Sequence, residues 1–432
     1  MNPKYQAQKG VLFLTEYYPP LIYGGGERSC QLFAQHLVRQ GYSVTVLTSA
    51  ARGLPRESVQ QGVRVLRRLH TGAPTSARSN LKRMLQFPRS LLRETARLLA
   101  DENFAFVHCF NMTTLAAVEL RSQVHIPFIA HVNSLVFACP KGDLLYHGKT
   151  VCTIVCNYNV FVPCLRDSQE IGKLRNTPLI SANPLALRLI YSRYRSIQEL
   201  LKQFDHCIAI SSFIRHRLLR LGIPPHKISV LPNIAELVHI PKRVRSDHNK
   251  TIRLLFVGTL SVAKGIPELL SALRDLPGSW QCDIIGTGPL DRLVGSVTDH
   301  RIHWHKRVMD LNPWYAQADI VLFPSRWPEP FGRVAIEAMA QGKPVIATAA
   351  GGIPDIIAPG TGVLIPPGDA DALRRAVQRL MQSQKLRSAL GQRAKKHVQA
   401  HFAPKPLIAA LDGIYQSVQN DFTTTRAHAG RI

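Results

Sequence analysis

The sequence predicts an α/β protein with two Rossmann-like, doubly wound domains facing a central cleft. Strand patterns alternate with amphipathic helix patterns in both halves of the chain, and the polar, basic stretch 235–250 separates the two series. The length of 432 residues suits two domains of roughly 200 residues each. Both domains are therefore long enough to bury a sizeable hydrophobic core.

The first series of elements predicts an N-terminal domain over residues 1–235. A buried strand at 11–14 precedes a glycine turn, a helix at 27–39 and a second strand at 43–47, which form one βαβ unit. Further strand patterns follow at 104–109, 127–131 and 207–210. Because helical crossovers join parallel strands, the sheet is expected to be parallel with helices on both faces.

The second series predicts a C-terminal domain over residues 236–403. Its short strand patterns, most of them separated by helical segments, lie at 252–257, 281–285, 302–305, 320–323 and 344–347. A helix over 404–422 is expected to return to the N-terminal domain, and residues 423–432 are expected to form a flexible tail.

The composition points to an anionic partner. Lys and Arg total 54 against 28 Asp and Glu, which gives a formal net charge of +26, so nucleic acid, phospholipid and phosphorylated substrates are all candidates. No apolar run approaches the ~20 residues that cross a bilayer, and the polar N-terminus does not resemble a signal peptide. A cytoplasmic location is therefore expected.

One loop of the second series carries two acidic residues. The strand VLFPS leads into the loop RWPEPFG, and the helix RVAIEAMAQG follows. Ligands of doubly wound sheets lie beyond the carboxyl ends of the strands, so Gly332 and the helix start can approach a phosphate. Glu337 can accept hydrogen bonds from two adjacent hydroxyls, as in a ribose, and Glu329 lies nearer to a group beyond the phosphates. The alternative is that Glu329 is solvated and Glu337 only favours the helix N-terminus.

Two glycine-bounded loops follow neighbouring strands. The strand LLFVG precedes TLSVAKG, in which Lys264 can pair with a diphosphate, and the strand CDIIG precedes TGPL. The glycines that bound these turns include Gly258, Gly286 and Gly288. The three loops are expected to converge on one anion.

These segments resemble the retaining glycosyltransferases of group 1 (family four), which have the GT-B architecture. The similarity covers nearly the whole chain, and FVGTLSVAKG, IIGTGPL, EPFGRVAIEAMAQGKPVIAT and GGIPDII occur in the family's order and spacing. The resemblance implies that the C-terminal domain binds a nucleotide-sugar donor, with Glu337 on the ribose and Lys264 on the diphosphate. It also implies that Glu329 and the backbone of the Pro-Phe-Gly turn hold the sugar, so Lys264 and Glu329 are candidate catalytic residues.

The implied donor-binding residues are Gly258, Thr259, Lys264, Gly286, Gly288, Arg307, Val308, Glu329, Pro330, Phe331, Gly332 and Glu337. Thr259 stands where the family usually has an arginine, so one of two cations expected on the leaving diphosphate is missing. Another Arg or Lys can substitute for it. Lys306 stands where the family has a glycine, and it is, with Arg307, a candidate near the nucleotide base, where Val308 fits the base-contacting position.

The N-terminal half carries the resemblance through YYPPLIYGGGERSC and PFIAHVNSLVFACPKG. Its candidate acceptor or phosphate loop consists of Gly24, Gly25 and Gly26. Relatives have a His-Asp pair beside the reacting sugar, but a gapless register counted back from Cys139 places Asn133 and Ser134 there, with His131 two residues earlier. Since strand residues alternate faces, His131 and Asn133 can point the same way, and either is a candidate catalytic residue. The alternative for His131 is a structural role at the strand end.

Four of the eight cysteines fall within 26 residues. They are Cys139, Cys152, Cys156 and Cys164, separated by twelve, three and seven residues. Cys152 and Cys156 have metal-ligand spacing, but the set lacks the paired two-residue spacings of a zinc ribbon. A structural zinc or iron–sulfur site and a group of reduced, buried thiols both remain open, and disulfides are not expected in a cytoplasmic chain.

Two segments interleave basic and apolar residues. Residues 81–99 contain Lys82, Arg83, Arg89, Arg93 and Arg97 among apolar residues, and residues 185–201 show the same interleaving of basic and apolar residues. Such faces can lie on an anionic membrane, and a solvated helix face with its apolar side in the core is the alternative. Pro88 argues against one continuous helix in the first segment.

Together these observations predict a retaining glycosyltransferase that moves a sugar from a UDP-, GDP- or ADP-sugar to a saccharide or lipid-linked acceptor. Synthesis of a cell-envelope polysaccharide or exopolysaccharide, at the inner membrane face, fits the basic segments. No Asp-x-Asp metal motif is identified, so a catalytic divalent ion is not expected. The alternative is a basic nucleic-acid-binding protein without transfer activity, which the 7% aromatic content and the absence of a recognition signature disfavour.

Overall fold

The computed structural model describes residues 9–71, 77–148, 150–167, 183–237 and 251–429, without the side chains of 77–85 and 425–429. The chain forms two compact units. The first consists of Met1–Phe137, Arg193–Ile234 and Pro404–Ile432, and the second of Ala138–Ser192 and Ala235–Ala403. The stretch 138–192, predicted within the N-terminal domain, thus groups with the second unit.

The described strands, in chain order, are β1 (Gly10–Leu14), β2 (Ser43–Ser49), β3 (Glu57–Gln60), β4 (Val63–Leu69), β5 (Phe106–Cys109), β6 (Phe128–Val132), β7 (Leu145–Tyr146), β8 (Thr150–Val151), β9 (His206–Ala209), β10 (Ile228–Val230), β11 (Ile252–Val257), β12 (Trp280–Ile285), β13 (Ile302–His305), β14 (Ile320–Phe323), β15 (Val345–Thr348) and β16 (Val363–Ile365).

The described helices are α1 (Gly25–Arg39), α2 (Ala77–Asp101), α3 (Tyr158–Asp167), α4 (Pro184–Gln203), α5 (Ser212–Arg220), α6 (Ile266–Arg274), α7 (Asp291–Gly295), α8 (Asn312–Gln317), α9 (Arg333–Ala340), α10 (Ile353–Ile356), α11 (Ala370–Gln382), α12 (Gln384–His401) and α13 (Pro404–Ala429). Short 3-10 segments lie at Leu115–Ser122 and Pro225–Lys227.

The first unit contains an eight-stranded sheet in the order β10-β9-β6-β5-β1-β2-β4-β3. Its neighbouring strands are parallel except for the antiparallel edge pair β3 and β4. The strand order reverses at β1, which pairs with β2 on one side and β5 on the other. Ligands of such sheets bind at the reversal, so the loops after β1 and β5 are candidates for binding.

The second unit contains a six-stranded parallel sheet in the order β13-β12-β11-β14-β15-β16. Numbered within the unit, this is the 3-2-1-4-5-6 order of a dinucleotide-binding sheet, with the reversal between β11 and β14. Helix α9 follows β14 directly, and its buried side chains, including Ile336 and Met339, cover the sheet. The predicted class of two doubly wound α/β units is confirmed.

Helix α13 belongs to the first unit. Leu407, Leu411 and Tyr415 are buried in its core, and the Tyr415 hydroxyl lies 2.7 Å from His108 Nδ1. The helix runs to Ala429, so residues 423–429, predicted to be a flexible tail, are helical. Residues 430–432 lie outside the described part of the chain.

Helix α2 is continuous through Pro88, and the prediction of a break there is wrong. Proline removes one intrahelical hydrogen bond and crowds the preceding turn. The flanking side chains of Phe87 and Leu91 are buried. Their burial offsets that cost, since packing of an apolar face stabilises a helix more than intrinsic propensity does.

Candidate active site

The loops beyond β11 and β14 meet at the strand-order reversal of the second unit. The backbone N–H groups of Arg326 and Trp327 both donate to Ala263 O, at 2.9 and 3.2 Å. The approach is close at Gly265, where a Cβ would lie 1.9 Å from Pro324 O. Two loops more than 50 residues apart in sequence therefore form one surface.

Lys264 and Glu329 form an ion pair on this surface. Lys264 Nζ donates to Glu329 Oε1 at 2.5 Å, and Ser325 Oγ donates to the same oxygen at 2.6 Å. The Trp327 ring centroid lies 5.0 Å from Lys264 Nζ. The Glu329 side chain is 7% exposed and that of Lys264 is 23% exposed. The carboxylate therefore fixes an ammonium group that still reaches the surface.

Glu337 lies one turn into α9, and each of its carboxylate oxygens accepts a hydrogen bond. Arg333 NH2 donates to Glu337 Oε1 at 2.9 Å, and the buried Tyr315 hydroxyl donates to Oε2 at 3.1 Å. Burial and the Glu337 charge raise the pKa of Tyr315 well above its ordinary value, so this phenol remains a donor. The carboxylate is thus oriented before any ligand arrives.

Sequence reasoning missed Arg333, Tyr315 and Ser325. The spacing of four residues between Arg333 and Glu337 on one helix is a signal that could have identified the first. Tyr315 comes from α8 and Ser325 from the end of β14, and no local pattern links either to an acidic partner.

The turn before α9 is fixed by a glycine and an aromatic anchor. Gly332 has φ 145°, and a Cβ there would lie 2.4 Å from Ile353 Cδ1, so a side chain would not fit. The Phe331 ring is buried and packs edge-on against Phe402 at 6.0 Å between centroids. The backbone of this turn and the first N–H groups of α9 therefore have defined positions.

The glycine loops after β11 and β12 lie against each other. Gly286 has φ 145°, and a Cβ there would lie 1.9 Å from Gly258 O; one on Gly288 would lie 2.4 Å from Leu260 O. Thr259, beside Gly258, is exposed and supplies no charge. The loops after β11 and β12 are therefore in contact, and their convergence with the third loop on one anion stays a prediction.

Lys306, Arg307 and Val308 follow β13, two strands from β11. Lys306 and Arg307 are exposed, and Val308 is half-buried. Arg326 is closer to Lys264 along the joined loops, but its guanidinium pairs with the buried Glu268.

An Asp-x-Asp triplet does occur outside the donor loops, at Asp369-Ala370-Asp371. Asp369 caps α11 by accepting the Ala372 N–H at 2.7 Å, and Asp371 accepts from Arg374 at 2.8 Å. Both carboxylates thus have structural partners.

In the first unit, Asn133 lies beside the glycine turn that starts α1. Asn133 follows β6, and its Nδ2 donates to Phe110 O at 2.6 Å. A Cβ on Gly26 would lie 3.0 Å from Asn133 Nδ2, so the turn and the amide are neighbours. Gly24 N–H donates to Glu27 Oε2 at 2.9 Å, which closes the turn.

His131 lies in the core of the first unit, away from solvent. Its ring stacks on Phe110 and on His108, at 4.6 and 5.4 Å between centroids, and neither ring nitrogen has a hydrogen-bond partner. Burial lowers its pKa to about 3, so the ring is neutral at physiological pH. This placement argues against His131 as a site residue and leaves Asn133 as the candidate.

The four clustered cysteines are in the second unit and line one small cavity. All eight cysteines are free thiols, with Cys139, Cys152 and Cys164 buried and Cys156 half-buried. Among the described residues, no group of three or more His, Cys, Asp or Glu side chains is arranged to hold a metal ion.

Two family models match the chain one after the other. The model of Glycosyltransferase Family 4 matches residues 23–237, and that of Glycosyl transferases group 1 matches residues 240–397. The chain belongs to the group 1 glycosyltransferases. The predictions of this family and of an enzyme are confirmed, and no observation at the site favours the nucleic-acid alternative.

Several proteins are similar to this glycosyltransferase. An uncharacterized glycosyltransferase of Methanocaldococcus jannaschii is 23% identical over 404 residues, covering 90% of this chain and 93% of that protein. An amylovoran biosynthesis glycosyltransferase of Erwinia amylovora is 29% identical over 236 residues, 51% of this chain and 58% of that protein.

Among solved structures, sucrose-phosphate synthase of Thermosynechococcus elongatus has a TM-score of 0.71 at 21% identity, covering 95% of this chain and 99% of that chain. HepE of Anabaena in complex with UDP-glucose has a TM-score of 0.67 at 17% identity, covering 94% of this chain and 99% of that chain. These structures have the same fold as this glycosyltransferase.

Within the parts of the chain that the structure describes, none of the helices combines the length and apolar character that a membrane span requires.

Proposed function

We propose that this enzyme transfers a sugar, with retention of configuration, from a nucleoside-diphosphate sugar to a saccharide or lipid-linked acceptor in polysaccharide or cell-envelope synthesis. The observation that carries the proposal is the contact of Lys264 with Glu329 at the strand-order reversal, beside the start of α9. A relative named for amylovoran biosynthesis and a structural neighbour with bound UDP-glucose support the choice of product class and donor.

In this proposal the diphosphate lies at Lys264 and at the N-terminal end of α9. Negative charge on the leaving diphosphate grows as the glycosidic bond breaks, so a fixed ammonium group stabilises the transition state more than the ground state. Glu329 anchors Lys264 and binds a sugar hydroxyl through its remaining lone pairs. Positive charge at these groups fits a reaction that requires no divalent ion.

Glu337 is proposed to bind the ribose. Arg333 and Tyr315 each occupy one lone pair of its carboxylate, and a carboxylate offers about four such acceptor sites. Two remain for neighbouring hydroxyls. Arg333 and Tyr315 then act as positioning residues, because they contact Glu337 and orient it. The assignments of Arg307 and Val308 to the base, and of Asn133 and Gly24–Gly26 to the acceptor or phosphate, remain proposals.

The enzyme is also proposed to associate with the cytoplasmic face of an anionic membrane. Leu185 and Leu189, four residues apart on α4, are 75% and 50% exposed, and Arg188 between them is exposed. On α2, by contrast, Phe87 and Leu91 are buried while the arginines at 89, 93 and 97 are exposed. The described part of α2 therefore exposes charge but no large apolar side chain, whereas α4 exposes both. Lys82 and Arg83 lie outside the residues whose side chains are described.

The experiment is a melting screen of the full-length enzyme against UDP-, GDP- and ADP-sugars, followed by NMR of the product's anomeric configuration. One nucleotide series should raise the melting temperature, since a ligand that binds only the folded state stabilises it. An α-linked donor should give an α-linked product. Absence of a shift with every nucleotide sugar would overturn donor binding, and an inverted product would overturn retention.

A further inference from the structure

The segment 138–167 of the second unit surrounds a cavity of about 10 Å³ with four thiols. Cys139 precedes the hairpin of β7 and β8, Cys152 follows it, and Cys156 and Cys164 lie before and within α3. Residues from three different local elements thus point to one small space, which is large enough for a single water-sized sphere.

The four thiols are near neighbours. All four residues line the same small cavity. None of the four is in a disulfide.

Backbone donors and one buried cation surround the sulfur atoms. His147 N–H donates to Cys164 Sγ at 3.2 Å, and the backbone N–H groups of Lys141 and Leu144 donate to Cys139. The Lys141 side chain is only 2% exposed; its Nζ lies 2.5 Å from Leu145 O and 3.5 Å from Asp143 Oδ1. Donors and positive charge around thiolates are the usual outer environment of a metal–sulfur centre.

The described hydrophobic cluster around this segment is small. Phe161, Leu165 and Leu187 are buried in it, five further residues pack against them, and the hairpin strands have two residues each. A hairpin this short is marginally stable by itself, and a small structure without a large core needs a covalent or metal cross-link.

We propose that Cys139, Cys152, Cys156 and Cys164 bind one Zn²⁺ ion in a closed, structural site. Four thiolates in tetrahedral arrangement select zinc, and a site without an open position is structural. The size of the cavity fits one ion better than a cluster of several irons. Binding releases one proton from each thiol. The charges of Lys141 and Asp143, which are paired beside Cys139, cancel, so the net charge of −2 is stabilised mainly by backbone donors such as His147 N–H.

The four cysteine side chains are not arranged to coordinate an ion, and the same holds for every other group of His, Cys, Asp or Glu among the described residues. Closure requires rotation of the cysteines toward the cavity that they already line. Metal binding is coupled to local folding, because a preformed site rarely exists in an unfolded segment. The inference does not depend on the proposed donor or acceptor.

The experiment measures metal content of the full-length enzyme, purified without chelators, by inductively coupled plasma mass spectrometry. The wild type should carry about one zinc per chain. After replacement by Co²⁺, the visible and near-ultraviolet spectrum should show tetrahedral coordination by four thiolates. Cys156→Ser should lower zinc occupancy at least about tenfold, while Cys156→His, which keeps a zinc ligand, should retain the metal.

The matched control is Cys282→Ser, which alters a buried thiol of the same unit outside the cluster. It should keep full zinc content. Zinc-free wild type with thiols that react on unfolding would overturn the site, as would a disulfide within the cluster found by mass spectrometry. Full zinc content in Cys156→Ser would also overturn it. Bound iron with an absorption band near 400 nm would overturn the zinc assignment in favour of an iron–sulfur cluster.

Discussion

At the scale of single residues, the ion pair of Lys264 and Glu329 is the most consequential contact of the candidate site. It is mostly buried, and Glu329 Oε1 accepts from both Lys264 and Ser325. Removal of one member of such a pair leaves the other charge without its partner. Substitutions here therefore affect stability as well as catalysis, and the two must be measured separately.

Lys264→Ala should reduce kcat at least about 100-fold, because the lost charge acts mainly on the leaving diphosphate. Steady-state kinetics with the donor identified by melting gives kcat and KM, and melting without donor reports the cost to stability. Lys385→Ala, at an exposed lysine of the same unit, is the control and should match the wild type. A rise in KM with unchanged kcat would contradict the assigned role.

Glu337→Ala should weaken donor binding by about 1–3 kcal/mol, since ribose hydroxyls and the Tyr315 hydroxyl would lose an acceptor. Isothermal titration with the nucleoside diphosphate measures this directly. Arg333→Ala tests the positioning role and should have a smaller effect, because Tyr315 still holds the carboxylate. Undiminished affinity in a folded Glu337→Ala protein would reject the ribose assignment.

At the scale of elements, the central strands of the first sheet carry buried histidines. His108 on β5 and His131 on β6 stack on each other, and burial lowers the pKa of both. Phe110 stacks on the same two rings, at 4.4 and 4.6 Å between centroids. This stack is neutral in the folded state, so folding is linked to proton release.

This linkage predicts acid destabilisation of the first unit. The folded pKa of His131 is about 3, below about 6.5 in an unfolded chain, so the unfolded state binds the proton first as pH falls. Stability is therefore full above pH about 6.5 and declines toward pH about 3. At pH 5.5 one such histidine lowers the free energy of unfolding by about 1.4 kcal/mol relative to its value well above pH 6.5.

Urea unfolding at pH 7.5 and 5.5 measures the effect, with the transition of the first unit followed separately because two units need not unfold together. His131→Phe should reduce the loss of unfolding free energy between these pH values. His70→Gln, at an exposed histidine, should not. Equal pH dependence in wild type and His131→Phe would show that His131 does not carry the linkage.

At the scale of the whole molecule, a formal charge of +26 is combined with exposed apolar side chains on one helix. Each Lys or Arg near an anionic surface contributes roughly 1 kcal/mol, and inserted leucines make the contact less sensitive to salt. The proposed membrane association therefore has an electrostatic part and an apolar part, which respond to different substitutions.

Co-sedimentation with vesicles of anionic and zwitterionic phospholipid, at low and high salt, tests the association. The wild type should bind at low salt, and Leu185→Ser with Leu189→Ser should bind severalfold more weakly. Changing Arg89, Arg93 and Arg97 to Gln should weaken binding mainly at low salt. Val59→Ser, at an exposed valine elsewhere, is the control. Unchanged binding by the leucine variant would reject α4 as the contact, and no binding by any protein would favour a soluble acceptor.

The sequence alone determined the α/β class, the two series of strands and the positions of Lys264, Glu329 and Glu337. These depend on local patterns: a buried strand, a glycine turn and a helix start identify the end of a strand wherever they occur. The family motifs have the same local character. For that reason the carboxyl-end loops could be identified without knowing which strands are neighbours.

Only the tertiary structure decided which groups touch. Lys264 and Glu329 are 65 residues apart, and their contact depends on β11 lying beside β14. His131 and Asn133 are two positions apart, so the alternation of strand residues predicts that both point to the same face of the sheet. His131 is nevertheless buried near Phe33 of α1, whereas Asn133 lies beyond the end of β6. Helices cover both faces of a parallel sheet, so its strands lack the alternation of polar and apolar residues that would mark a solvent-facing side. The burial of a given strand residue therefore depends on neighbours that are distant in sequence.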